Sequence, residues 1–158
     1  KMKGVKKILI GSGIRYDLLL NFPELLEEIM LYHAGRYLRI APEHTEDSVL
    51  KLMGKPGFET FVSFVRLFNS INVKLKRKVE LSPYLMTGHP GETWDDVVSM
   101  KAKLKHLGVK TTDAQVFTPS PGTLSTAMYY AERSCDYDHV PVVKDLKELM
   151  KRKEYIVN

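Results

Sequence analysis

Side chains capable of chemistry gather in this sequence at four short stretches, each placed after an apolar run. They are Ser12-Gly13-Ile14-Arg15, Pro42-Glu43-His44-Thr45, Gly88-His89-Pro90-Gly91-Glu92, and Thr118-Pro119-Ser120 behind Val116 and Phe117. The Pro42 turn would project Glu43 and His44 out of a strand, where a carboxylate can grip hydroxyl donors or serve as acid or base. Its structural alternative is helix capping by Glu43 or Glu46. His89, between two glycine-flanked turns, can be a ligand, a ring facing a base or a spacer. Arg15 can neutralise a carboxylate or phosphate, or pair at the surface with Asp17 or Glu43. Glu43, His44 and His89 together could hold a divalent metal for a lyase or hydrolase.

Leu85 to Thr93 is the densest of these stretches. Gly88 and Gly91 allow a tight backbone that approaches a neighbour closely, and Pro90 stiffens the turn between them. Thr93 is a good N-cap, with Asp95 and Asp96 in the first helical turn where the dipole favours anions. A strand, a glycine elbow and a helix start are how α/β proteins present N–H groups to a ligand, so the stretch reads as a phosphate or nucleotide cradle.

Four βα units must position these stretches. Strands are expected at Val5–Ile10, Tyr37–Ala41, Val79–Met86 and Asp113–Phe117. Pro83 inside the third makes a bulge or a locally irregular ladder there. Helices are expected at 15–20 and 23–32, and from Thr45 to Met53 with Thr45 as the cap. Further ones follow at Phe58–Val73, at Thr93–Leu107, from Thr123 to about Tyr130, and at Val143–Lys153. Phe58, Phe61, Val62, Val65, Phe68 and Ile71 share one helix face and read as core. Strand starts about 32 to 42 residues apart imply a parallel sheet with helical crossovers, half of an eight-fold barrel or two-thirds of a six-fold one. Ligands bind such sheets at the strands' C-terminal ends, where all four stretches fall. Asp113 falls at the opposite end and reads as structural. Val5–Ile10 has no partner before it, so an exposed edge or self-association is expected.

The 158 residues suit one domain, and a charge of +5 is mild. The basic run Lys74 to Lys78 and the basic helix Lys144 to Lys153 read first as solvated surface. Their functional alternative is a non-catalytic module binding RNA or a partner chain. No apolar run approaches the roughly 20 residues of a membrane span. The single cysteine, Cys135, excludes internal disulfides, suits a reducing cytoplasmic setting and reads as an inert loop thiol. A chain that starts at Lys1 and goes almost at once into a strand looks like a piece of a longer protein.

Several blocks resemble a known family. Gly88-His89-Pro90-Gly91-Glu92-Thr93 is similar to the fifth-strand element of radical S-adenosylmethionine (SAM) enzymes, in the form of the methylthiotransferase and oxygen-independent coproporphyrinogen oxidase branch. Thr118-Pro119-Ser120-Pro121-Gly122-Thr123 resembles the sixth-strand element of that branch. Residues 12–19, Ala41–Thr45, Leu50–Pro56 and Leu124–Tyr130 resemble the YgiQ-type radical SAM proteins. The resemblance implies strands three to six of a (β/α)6 partial barrel, in an enzyme that uses SAM and a [4Fe–4S] cluster. The cluster motif CxxxCxxC is absent here, so this piece would contribute part of the SAM pocket, bind no cluster and be inactive alone. The missing N-terminal half of the core would be its partner, with the substrate unknown. By position, Ser12, Arg15, Glu43 and His44 would face the methionine and ribose end. Gly88, His89, Pro90, Gly91 and Glu92 would shape the adenine side, and Val116, Phe117 and Thr118 would offer backbone hydrogen bonds to the base.

Overall fold

The structure, a computed structural model, describes residues 3–158. Two short helices open it, α1 (Tyr16–Leu19) and α2 (Pro23–Glu28), the latter running into a π-helical turn (Ile29–His33). Then come β1 (Tyr37–Glu43), α3 (Asp47–Leu52), α4 (Phe58–Lys74), β2 (Glu80–Thr87), α5 (Trp94–His106), β3 (Gln115–Val116), α6 (Leu124–Ala131) and α7 (Leu146–Val157). The three strands form one parallel sheet in the order β1-β2-β3. This is a mixed α/β arrangement that fits a partial α/β barrel.

Alternation along the strands separates two faces. Leu38, Ile40 and Leu85 are fully buried and join the helical core, whereas Arg39 and Tyr84 are exposed and Ala41 and Ser82 half-exposed on the other side. Helix α4 supplies most of the filling. Phe61, Val62, Val65, Phe68 and Ile71 are buried as its periodicity requires, Phe58 is only half-buried, and Phe64 joins the stripe with no exposure at all. Tyr16 of α1 meets Phe61 and Phe64 with ring centroids 5.5 and 5.6 Å away.

Several sequence expectations shift. Val5–Ile10 forms no strand: Val5, Ile8 and Leu9 are exposed, and the segment is tied to the rest by the Ile10 N–H to the His33 carbonyl, His33 Nδ1 to the Ile8 carbonyl and Lys7 to the Ala34 carbonyl, with an isolated Ile14–Ile40 bridge just beyond it. A strand needs ladder partners, and among the described residues none lies on its outer side. The fourth expected strand, 113–117, shortens to two residues because β3 pairs with β2 alone. The ladder is irregular beside Pro83 as expected, with the extra residue on the facing strand: Ile40 pairs with Pro83 and Glu43 with Leu85, leaving one extra residue in β1. Thr45 does not cap α3. His44 Nδ1 takes the Glu46 N–H, and Asp47 turns away to accept the Phe58 N–H and cap α4. Helix α7 starts three residues later than expected, where Asp145 accepts the Lys147 N–H. Thr93 does cap α5, in a reciprocal capping box with Asp96. Among the described residues no helix is long and apolar enough to cross a membrane.

Phe64→Ala should cost about 3–5 kcal/mol in urea unfolding, since the ring is wholly enclosed and its neighbours are aromatic rings that collapse poorly into the space left.

Candidate ligand cleft

The sheet's open face holds a cleft of about 550 Å3. Arg39, Ala41, Ser82 and Tyr84 floor it, Gly11–Gly13 and residues 112–115 wall it, and Glu43 closes its upper end. A parallel sheet is ordinarily apolar on both faces, so this polar face is an opening rather than a core.

Glu43 is the strained member. Its φ is 66°, a left-handed conformation that a side chain adopts at a cost, produced by the extra residue in β1. Lys55 lies 3.3 Å from Oε1, while Oε2 is buried with no hydrogen-bond partner among the described residues. Burial lifts the carboxyl above the usual carboxylate range, and Lys55 partly offsets this. Tyr84 is also raised, by burial and then by the nearby Glu43 and Asp113 carboxylates, so it remains a hydroxyl donor.

Glu92 and His44 lie behind the cleft, buried against each other. Glu92 Oε2 accepts from His44 Nε2 at 3.2 Å, and Oε1 accepts the Gly88 N–H at 2.7 Å and Arg152 at 2.9 Å. Arg152 also reaches the Glu92 carbonyl at 3.1 Å. Because His44 Nδ1 accepts the Glu46 N–H, its ring proton sits on Nε2 and points at the carboxylate. His89 is likewise occupied: Nδ1 donates to the Pro90 carbonyl and Nε2 accepts from Ser125, each at 2.8 Å, with Phe117 edge-on at 5.3 Å. Burial lowers its pKa, which keeps Nε2 free to accept.

Four of the five N–H groups of the glycine elbow are therefore already taken within the chain, leaving that of His89. Gly88 N–H goes to Glu92, Gly91 N–H to the Pro141 carbonyl, Glu92 N–H to the His89 carbonyl and Thr93 N–H to Asp96. The cradle expected from the sequence is a wall whose hydrogen bonds are mostly satisfied within the chain. A Cβ on Gly88 would lie 2.2 Å from a methyl of Leu149 in α7, and one on Gly91 2.3 Å from a methyl of Leu52 in α3, so either leucine side chain would have to shift. Their φ values of 78° and 92° also favour glycine.

Of the residues singled out from sequence, Ser12 and Glu43 line the cleft. Arg15 takes its surface alternative, a pair with Asp17 at 2.8 Å. His44, Gly88, His89, Pro90 and Glu92 are buried in the wall, and Gly91 is half-buried in it. Val116, Phe117 and Thr118 stand at the end of β3, where the Phe117 N–H is taken by the Thr87 carbonyl at 2.8 Å. Glu43, His44 and His89 do not converge as metal ligands, since three of the four imidazole nitrogens and Glu92 satisfy one another or the backbone, and the fourth holds Ser125. No group of three metal-capable side chains occurs among the described residues. Four of the nine basic candidates are paired or buried: Lys74 pairs with Glu27, Lys144 with Glu132 and Lys153 with Asp113, and Arg152 is buried. Cys135 is exposed. Sequence reasoning missed Arg39, Ser82 and Tyr84, whose signal was polar residues inside strands expected to be apolar. It also missed Arg152, which no motif marks.

The fold and cleft define an α/β protein with a ligand-sized opening on a parallel sheet. No family model matches the chain. Over 132 residues, 84% of this chain and 17% of the relative, it is 42% identical to a UPF0313 protein of Vibrio vulnificus. A UPF0313 protein of Geobacter sulfurreducens is 44% identical over 125 residues, 79% of this chain and 21% of the relative. One of Bradyrhizobium diazoefficiens is 36% identical over 98% of this chain and 24% of the relative. The chain thus spans about a fifth of the length of these curated relatives.

Arg152→Ala should destabilise the chain by about 3–5 kcal/mol in urea unfolding, because it strands the Glu92 carboxylate without its cation. Glu43→Gln should raise the melting temperature, and more at pH 8 than at pH 4. A carboxyl whose folded pKa is raised binds its proton more tightly when folded, so the wild type loses stability as pH rises from the unfolded value, about 4.3, through the folded one. Thermal scans of both proteins across that range check the sign.

Proposed function

We propose that this chain is the C-terminal part of a radical SAM core and that its cleft forms part of the SAM pocket. The observation that carries this is Glu43: a strained carboxylate with an unpartnered oxygen, at the C-terminal end of a parallel strand, lining a cleft of about 550 Å3. The sequence blocks that resemble YgiQ-type proteins support the reading, as do the UPF0313 relatives, which are the YgiQ-type group.

The residues present suit SAM as a ligand. Its ribose hydroxyls and ammonium group are donors, which Glu43 Oε2 lacks, and Ser12 adds a hydroxyl on the facing wall. The elbow, largely closed on itself, would bound the adenine side by shape, and Val116 to Thr118 would offer main-chain groups at the adjacent strand end. When bound, SAM together with a reducing [4Fe–4S] cluster supplies a 5′-deoxyadenosyl radical that takes a hydrogen from the substrate. With Cys135 as its one cysteine, this chain cannot supply the three thiolates of such a cluster. They would come from another part of a longer, cytoplasmic enzyme, whose remaining strands would pair at the sheet edge beside the exposed 5–9 segment. Without those strands the chain would self-associate there.

Isothermal calorimetry should show weak SAM binding to this chain, weakened further by Glu43→Gln. Submicromolar affinity would overturn the expectation of weak binding, and no dependence on Glu43 would contradict the role assigned to that residue. In the full-length protein a CxxxCxxC segment is expected upstream. Anaerobic reconstitution with iron and sulfide, followed by dithionite, should then release 5′-deoxyadenosine from SAM. A full-length protein without the three cysteines would sink the reading.

A further inference from the structure

The lower half of the cleft carries features that the SAM reading does not use. Arg39 is the third residue of β1 and stands directly across from Ser82 of β2. With Leu38 and Ile40 buried on the other side, its side chain belongs to the open face. It lies four residues before Glu43, about 10–13 Å down the strand at roughly 3.3 Å per residue. The two therefore mark opposite ends of one cleft.

Charge accounting isolates Arg39. Three charged residues line the cleft: Arg39, Glu43 and Asp113. Glu43 is paired with Lys55 at 3.3 Å and Asp113 with Lys153 at 3.0 Å, and nearby Arg36 is held by Glu80 at 3.1 Å. Arg39 makes no ion pair among the described residues. Its one hydrogen bond is from Nη1 to the Gly11 carbonyl at 3.4 Å, so most of its five N–H donors remain available. Small residues keep the space beside it open: a Cβ added to Gly11 would meet nothing within 4 Å, and one on Gly13 would just touch Ala41 at 3.4 Å. Ser82 and Tyr84 add hydroxyl donors on the same floor. An unpaired guanidinium with a hydroxyl beside it, within a face that parallel sheets usually keep apolar, is an anion receptor by chemistry.

We infer that the lower cleft, built on Arg39 and Ser82, is an anion subsite that binds a carboxylate or phosphate group of the molecule acted on. As an assignment of substrate class this rests on the radical SAM reading; the subsite itself rests on the cleft geometry alone. An anion held at Arg39 would place the rest of a small molecule upward, toward the Glu43 end.

NMR titration of this chain at constant ionic strength tests it, with inorganic phosphate and with succinate as separate probes. The readouts are the Arg39 side-chain resonance and the amides of Gly11 and Ser82. At least one probe should give saturable shifts there in the millimolar range. Arg39→Gln should weaken that binding at least tenfold, Arg39→Lys less, and Lys51→Gln, the same charge loss on exposed α3, by less than twofold. Saturation by phosphate alone points to a phosphate-bearing substrate, by succinate alone to a carboxylate, and by both to an anion site of either kind. Absence of saturable shifts with both probes, or equal binding by Arg39→Gln and wild type, overturns the subsite. Arg39 is exposed, so the variant's remaining spectrum should overlay the wild type and report an intact fold. S-adenosylhomocysteine added to the same samples should shift resonances around Glu43 and Val116–Thr118. Failure of that arm alone counts against the SAM reading and leaves the anion subsite standing.

Discussion

A carboxylate with no exposure must find compensation within the protein, and the Glu92 carboxylate finds it in three parts of the chain. His44 comes from the end of β1, the Gly88 N–H from the elbow itself and Arg152 from the last helix, the side-chain partners lying 48 and 60 residues away in sequence. Removing such a charge from water costs several kcal/mol, and only good geometry with further hydrogen bonds offsets it. The arrangement therefore has little tolerance. It holds the ends of β1 and β2 at a set spacing and clamps α7 over the elbow, where Leu149 packs against the bare Gly88 Cα.

The clamp also explains a division of labour at the strand ends. Residues that look reactive in sequence, His44, His89 and Glu92, are occupied with one another and with the backbone, so they form a stiff wall. Glu43, one position from His44, is pushed by the bulge into a left-handed conformation and keeps an unpartnered oxygen. Strain and an unsatisfied carboxylate at one residue are stable only where the surroundings over-determine them. The buried His44–Glu92–Arg152 contacts are what over-determine Glu43, since its neighbour cannot move.

The concave face shows the same economy at a larger scale. Its helical side is closed by aromatic packing between α1 and α4, whereas the opposite side carries arginine, serine and tyrosine around open space. Lys55 and Lys153 compensate the two carboxylates of the cleft from outside it, leaving Arg39 as its uncompensated charge. Positive and acceptor character are thereby separated along one strand, which gives any bound molecule a direction.

Local signals determined much of this in advance. The alternation of strand and helix, the α4 stripe and the Thr93 cap follow from periodicity and local backbone chemistry, which a short window of residues contains. Of the site residues that the sequence singled out at the four stretches, Ser12 and Glu43 line the cleft. Tertiary structure alone decided which side chains remain available. Whether His89 is a ligand or a tether depends on Ser125, and whether the elbow offers its N–H groups depends on Pro141 and Glu92. Val5–Ile10 has the composition of a strand, but a ladder forms only with a neighbour to share it. Arg152 carries no motif, because its role exists only once α7 folds back onto the elbow and meets a carboxylate that water cannot reach.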